Sequence, residues 1–302
     1  MIDKRESMTA KICSFTRAYH SNYGTEKIFD DYLAYDLMGK EEYQEIGQLI
    51  ENNFDEEKYN PLIDFQGSVV YPVIEKYISP ILISRVAYAE NKLLDFTKKH
   101  KRCQYVICGA GMDTFSFRNP IDNVTIFELD HPDTQNYKLE KVRALEWTIP
   151  SNVHYVPIDF SKDNMVEVLK DAGLDDSVPT FFAMLGVTYY LTLPVFQDTL
   201  FKISQVAKNS EIVFDFPDAT AFIENESNRA YYLSGITARL GEHMMHGYSI
   251  EDMENSLHSN GFRINEHMTP SDIQKQFFDE HAGNLQAYEN IHFILAKKGG
   301  IE

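Results

Sequence analysis

The sequence predicts an α/β protein: a parallel, doubly wound sheet covered on both faces, preceded by a helical N-terminal third. Three observations carry this. From residue 103 onward, short continuous apolar runs alternate with helical segments, and continuous runs are what strands buried on both faces require. Before residue 103 apolar residues recur at helical spacing. The first apolar run also ends in Gly109-Ala110-Gly111, the kind of strand-to-turn junction that nucleotide-binding sheets use.

Within residues 1–102, read as a helical cap, "ILISRVAYAENKLLDFTKKH" places Leu82, Val86, Ala89, Leu93 and Phe96 at steps of three and four. That is one buried stripe of an amphipathic helix, and Arg85 sits beside it. In residues 103–302, the core, "QYVICG", "VTIFELD", "VHYVPID", "PTFFAMLG" and "EIVFDF" read as strands. Helices start at Pro132, at Ser161 and at Thr192 followed by Pro194, each offering a cap or an early proline. "GFRINEHM" and "NIHFILAKKG" read as two further strands. Residues 218–248 break the strand-helix rhythm before a helix expected near Ser249, and are read as a mobile lid. No repeat, low-complexity segment or linker divides the chain.

The 302 residues carry a formal charge of −18, which works against nucleic acid and anionic membrane, since such partners need a basic patch. The N-terminus lacks an apolar signal core and no stretch approaches a membrane span, so a cytoplasmic protein is expected. Cys103 and Cys108 lie five apart near the ends of one strand and should face opposite sides of the sheet. Together with Cys13 they read as free thiols.

In a doubly wound sheet, ligands sit beyond the carboxyl ends of the strands. Gly109 and Gly111 end the first strand, Glu128, Leu129 and Asp130 the second, and Asp159 and Phe160 the third. A carboxylate about twenty residues after the first glycine suits two ribose hydroxyls. Glu128 and Asp130 both fit, and being two apart they share a face. A nicotinamide dinucleotide would want a third glycine at position 114, where this chain has Thr, and Asp113 would oppose its phosphates. S-adenosylmethionine, a nucleoside with a sulfonium and no phosphate, fits better.

"ICGAGMDTFSFR", "FELDHPDTQNYKLEKV" and "PIDFSKDN" resemble the leucine carboxyl methyltransferase family, whose bacterial branch includes polyketide O-methyltransferases similar to the tetracenomycin enzyme. The resemblance extends over most of residues 9–297, leaving 40–70 unmatched. It implies a class I methyltransferase fold: a Rossmann-like seven-stranded sheet with its last strand antiparallel, an N-terminal helical cap and a lid insertion. It also implies that Gly109, Ala110 and Gly111 underlie the methionine part of the cofactor. Asp130 would hold the ribose, with Leu129 beside it, and Asp159 and Phe160 would face the adenine. Arg85 would pair with the cofactor carboxylate, and Arg17 would be a second basic contact. A lone buried guanidinium needs an anion in any case, and for Arg85 a structural salt bridge is the competing account. Some members carry a glutamate where this chain has Leu185, so Leu185 and Gly186 would offer apolar contact and backbone groups. That places the chain nearer the small-molecule branch.

His243 and His246 are spaced for a metal, but a third ligand is missing from the sequence nearby, so no metal is expected. Tyr189, Tyr190, Tyr232, Arg239 and His243 are candidates for the acceptor pocket. A carboxylate acceptor needs no general base, whereas a phenol would call on His131, His243 or His292; His131 alternatively reads as a helix-start residue. The function expected is O-methylation of a small acid or phenol, with protein C-terminal carboxyl methylation, a non-catalytic cofactor sensor and a nicotinamide-dependent oxidoreductase as alternatives. The oligomeric state stays open.

Overall fold

The computed structural model describes residues 7–24, 26–53, 73–118, 121–160, 162–207, 209–225, 228–239, 241–244, 246–280 and 285–299. Among them, β1 (Cys103–Cys108), β2 (Val124–Asp130), β3 (Val153–Pro157), β4 (Thr180–Met184), β5 (Ser210–Pro217), β6 (Phe262–Met268) and β7 (Ile291–Lys298) form one sheet. Its order is β3-β2-β1-β4-β5-β7-β6. The pairs β1–β2, β1–β4, β2–β3 and β4–β5 are parallel, and β7 runs antiparallel between β5 and β6. The chain steps outward from β1 to β3 and returns to β4, so the switch point lies between β1 and β4, where a ligand crevice opens.

Strand period two divides the core. Tyr105, Ile107, Ile126, Phe181 and Phe293 point to one face and pack with Ala87, Leu93 and Phe96 from α4 (Ser79–Lys99). Val106, Cys108, Phe127, Phe182 and Phe214 point to the other face and meet Phe196, Leu200 and Met253. Cys103 and Cys108 do lie on opposite faces, and all three cysteines are free. The helices covering the second face include α7 (Met165–Asp171), α8 (Leu193–Val206) and α10 (Ile250–Ser259). The expected start at Ser161 lies outside the described residues; Asn164 caps α7. Thr192 stands at the N-cap of α8, and Ser249 forms a capping box with Asp252 on α10. The two C-terminal strands are joined through α11 (Pro270–Phe277), which "TPSD" starts as a second capping box.

The N-terminal third contributes α1 (Met8–Tyr23), α2 (Ala34–Met38), α3 (Lys40–Asn53) and a π-helical turn, Ile74–Ile78, leading into α4. The insertion after β5 supplies α9 (Arg229–Arg239). Its Ile236 joins Phe15, Ile46, Ile50, Ile78 and Leu82 in a third apolar cluster. Asp218 and Tyr248, the two ends of the insertion, are bridged to each other. No described helix is long and apolar enough to cross a membrane.

Candidate cofactor and acceptor site

The first part of the site lies beyond β1, β2 and β3. After Cys108 the chain turns through Gly109 and Gly111, both at positive φ, 77° and 53°, backbone that a side chain adopts only with strain. At Gly111 a Cβ would also stand 3.2 Å from the Cβ of Ala10 on α1. Asp130, at the end of β2, accepts the Gly111 N–H through Oδ2 (2.5 Å) and the His131 N–H through Oδ1 (2.7 Å). Burial pushes its carboxyl above the usual range, and those two N–H donors work against the rise. Asp130 stays half-buried as the last residue of β2. Leu129, buried, takes the N–H groups of Gly109 and Ala110 on its carbonyl. Beyond β3, Asp159 pairs with Lys162 (2.5 Å) and the Phe160 ring is exposed.

Glu128, two residues earlier, is in a different setting. It is 1% exposed, ion-paired with the equally buried Lys138, and accepts a bond from the Ser116 hydroxyl at 2.9 Å. Burial raises its pKa, countered by Lys138 and Ser116. The two acids on one strand face therefore have separate occupations: Glu128 anchors the helix after β2, α6 (Pro132–Ala144), and Asp130 lies at the open end.

The second part centres on Arg85. It reaches from α4 to the fully buried Asp215 of β5 (3.1 Å), which also accepts the Gly186 N–H (2.6 Å) and the Tyr189 hydroxyl (2.8 Å). Burial is the largest influence on the Arg85 pKa and lowers it, but Asp215, Cys13 and Tyr189 act together against it and the net shift is upward. Arg85 Nε is buried without a hydrogen-bond partner among the described residues, a costly condition that an acceptor group from a ligand would relieve. The guanidinium lies against Gly186 (φ 70°), where a Cβ would come within 2.6 Å of it. Leu185 is half-buried beside this turn. The two parts adjoin, since a Cβ at Gly109 would meet the Val187 side chain at 3.2 Å.

Arg17 stands behind the glycine turn rather than in it. Buried on α1, it donates to the Met112 carbonyl (2.7 Å) and to Asp31 (2.8 Å). Thr114, in the place of the third glycine, donates to Asp31 (2.5 Å), and Arg118, at the end of the short α5 (Phe115–Arg118), joins Asp31 (3.2 Å) to Glu90 (2.5 Å). This buried network ties the cap to the turn.

A cavity opens from Arg85, Gly186 and Tyr189 towards the cap, walled by α1, α3, α4 and α9. Of the five acceptor-pocket candidates, only Tyr189 lines it. Tyr190 is half-buried nearby, its phenol pushed up by burial first and by Glu242 second. Tyr232 packs on Tyr77 (4.9 Å), Arg239 donates to the Asn53 carbonyl (3.0 Å) and His243 is exposed. The inward face of α9 is instead Leu233, Ile236 and Thr237, because the i, i+3, i+4 positions facing the apolar cap decide the helix's rotation. The candidate bases are elsewhere too. His131 caps α6 through Nδ1, and His292 pairs with His267 (2.9 Å) beside Phe216. Reading the sequence missed Asp215, whose signal was a carboxylate set between Phe214 and Phe216 in the apolar part of β5, and the contributions of α1 and α3.

The arrangement suits S-adenosylmethionine: a glycine turn open to a nucleoside, a carboxylate at the second strand's end and an arginine with a free buried donor. The leucine carboxyl methyltransferase profile matches residues 10–204. A Bacillus subtilis (strain 168) protein, named as a candidate S-adenosyl-L-methionine-dependent methyltransferase, YktD, is 37% identical over 99% of this chain and 100% of its own length. A candidate methyltransferase of the same description from Mycobacterium sp. (strain MCS) is 40% identical over 29% of this chain and 37% of its own. Among solved structures, a DUF574 family protein from Streptomyces avermitilis shares the fold at 12% identity, with a TM-score of 0.61 over 99% of this chain and 100% of that one. The chain belongs to the leucine carboxyl methyltransferase family, and with it to the S-adenosylmethionine-dependent methyltransferases.

Proposed function

We propose that the protein is an O-methyltransferase that esterifies the carboxylate of a small molecule. The observation behind this reading is the make-up of the cavity. Among its described lining residues Arg85 is the one charged group, and none is an aspartate, glutamate, histidine or lysine. Burial pushes the Cys13 thiol up and the Tyr189 phenol far up, so both stay protonated at neutral pH. A phenol acceptor, with a reference pKa of about 10, would have to lose its proton without help. A carboxylate arrives ionised.

S-adenosylmethionine supplies the activated methyl group and leaves as a thioether. Asp130 would hold the ribose hydroxyls, the Gly109–Gly111 turn would hold the methionine arm, and Asp159 and Phe160 would border the adenine. Arg85 would donate from its unpartnered Nε to the amino-acid carboxylate. Asp215 keeps the guanidinium and the Gly186 N–H in position, and Arg17 braces the turn through the Met112 carbonyl. The apolar walls exclude water and hold the acceptor oxygen in line, where effective molarity supplies most of the rate.

Product chemistry tests the reading. Methyl transferred from labelled cofactor to an accepted substrate should be released as volatile methanol by mild alkali, as esters require. An alkali-stable label, as in an aryl ether or N-methyl product, would overturn carboxyl methylation.

A further inference from the structure

We infer that the acceptor is a carboxylic acid carried on a flexible, saturated hydrocarbon chain, an inference that rests on the carboxyl-methylation reading and extends it to the substrate's body. The described walls away from Arg85 are almost entirely aliphatic: Ile12 from α1, Leu49 and Ile50 from α3, Leu82 from α4, and Leu233 and Ile236 from α9. Tyr189 is the one aromatic ring among the described lining residues, and its hydroxyl is held by Asp215 at 2.8 Å. A planar polycyclic acceptor gains from offset or edge-on aromatic partners, which this wall does not offer. Branched aliphatic side chains from four helices present the irregular surface along which a bending hydrocarbon makes close dispersion contact.

A peptide carrying a C-terminal carboxylate is disfavoured by the same wall. Each buried peptide group brings an N–H and a C=O that must find partners. Beyond the Arg85 end, the described polar lining groups are the Asn53 amide, the hydroxyls of Thr9 and Thr237, and the Cys13 thiol. A hydrocarbon chain asks for none of them. Its carboxylate lies at the mouth facing Arg85 and Gly186, where the cofactor's methyl group is delivered. One lone pair of the carboxylate oxygen forms the new O–CH3 bond, the C–S bond breaks with its electrons passing to sulfur, and the sulfonium and carboxylate charges cancel. No proton moves, in keeping with a wall whose described residues include no base.

The test is a chain-length series of straight-chain monocarboxylic acids from six to sixteen carbons, assayed with the full-length protein for S-adenosylhomocysteine release and for the methyl ester by mass. Naphthoic and anthracene carboxylic acids, matched phenols and a free-acid peptide ending in leucine serve as comparators. kcat/KM should rise about fourfold per methylene, the factor for burying one CH2, up to an optimum, and then level off or fall. Leu233→Trp should move that optimum to shorter chains while leaving the Kd for S-adenosylhomocysteine unchanged. Better turnover of the polycyclic acids or the peptide, or no dependence on chain length, would overturn the inference and leave carboxyl methylation standing. Ether formation on the phenols with no ester from any acid would instead remove both. An optimum unmoved in a folded Leu233→Trp variant would also overturn the inference, since the hydrocarbon chain would then not lie on the wall it is argued from.

Discussion

Asp130→Ala and Glu128→Ala should produce opposite phenotypes, although the two carboxylates sit two residues apart on one strand face. Asp130 is half-buried and its present partners are two backbone N–H groups at the mouth of the sheet, which can turn to water when the side chain is removed. Two charge-assisted bonds to ribose hydroxyls, at roughly 1.5–3 kcal/mol each before desolvation losses, put the loss of cofactor affinity at about ten- to a hundredfold. The melting temperature should move by only a few degrees. Glu128→Ala leaves the Lys138 ammonium, 1% exposed, without its counter-charge; breaking a buried pair from one side costs about 3–5 kcal/mol. At ~2–4 °C per kcal/mol for a domain of this order, melting should fall by about 10 °C. The double variant Glu128→Met/Lys138→Met should recover most of that. Calorimetric titration with S-adenosylhomocysteine and a thermal melt on the same samples separate the two effects. Wild-type affinity in folded Asp130→Ala, or a tenfold affinity loss in a Glu128→Ala protein that melts like wild type, would refute the assignment.

Arg85→Lys keeps a cation for Asp215 but removes the buried Nε donor, so affinity for S-adenosylhomocysteine should drop about tenfold while 5′-methylthioadenosine, which lacks the amino-acid carboxylate, binds as before; equal losses for both ligands would place the carboxylate elsewhere. Glu75, in the π-helical turn, has its carboxyl pushed up to about 7 by burial. Because the folded state raises this pKa above the unfolded value of about 4.5, folding is penalised as pH rises above 4.5, and the penalty is complete above about 7. Glu75→Gln should therefore raise the melting temperature at pH 8 and leave it unchanged at pH 4.5, and a pH-independent effect would contradict that origin.

What was legible in the sequence was local. β2 is read off "VTIFELD" to the residue, since a continuous apolar run closed by acids has few other readings. Likewise, the separation of Cys103 from Cys108 follows from strand geometry alone. What was not legible depended on partners far away in the chain. Arg17 was expected at the cofactor, yet its guanidinium is occupied by Met112, 95 residues on, and by Asp31. Nothing local to "FTRAYHS" reports either contact. Glu128 and Asp130 were indistinguishable by period, because the feature that separates them is Lys138 on the next helix, and burial at that depth is a tertiary fact.

The acceptor candidates in and after α9 were read from reactivity rather than from period. Tyr232 and Arg239 on that helix, and His243 beyond its end, attracted attention because their side chains can do chemistry, but the helix turned by its apolar residues points Leu233 and Ile236 inward, where they meet a cap already lined by Ile50 and Leu82. A pocket that works by excluding water and aligning an acceptor that arrives charged has little need for reactive side chains on its walls. Its sequence signature is then an ordinary amphipathic stripe, repeated on α1, α3, α4 and α9, and only the convergence of those stripes on Arg85 distinguishes a binding wall from a core. That convergence also explains why the helical third, which looked like a cover for the sheet, provides most of the described surface the acceptor would touch. On the proposed reading, the strand ends would deal with the nucleoside and the cap would select the acceptor.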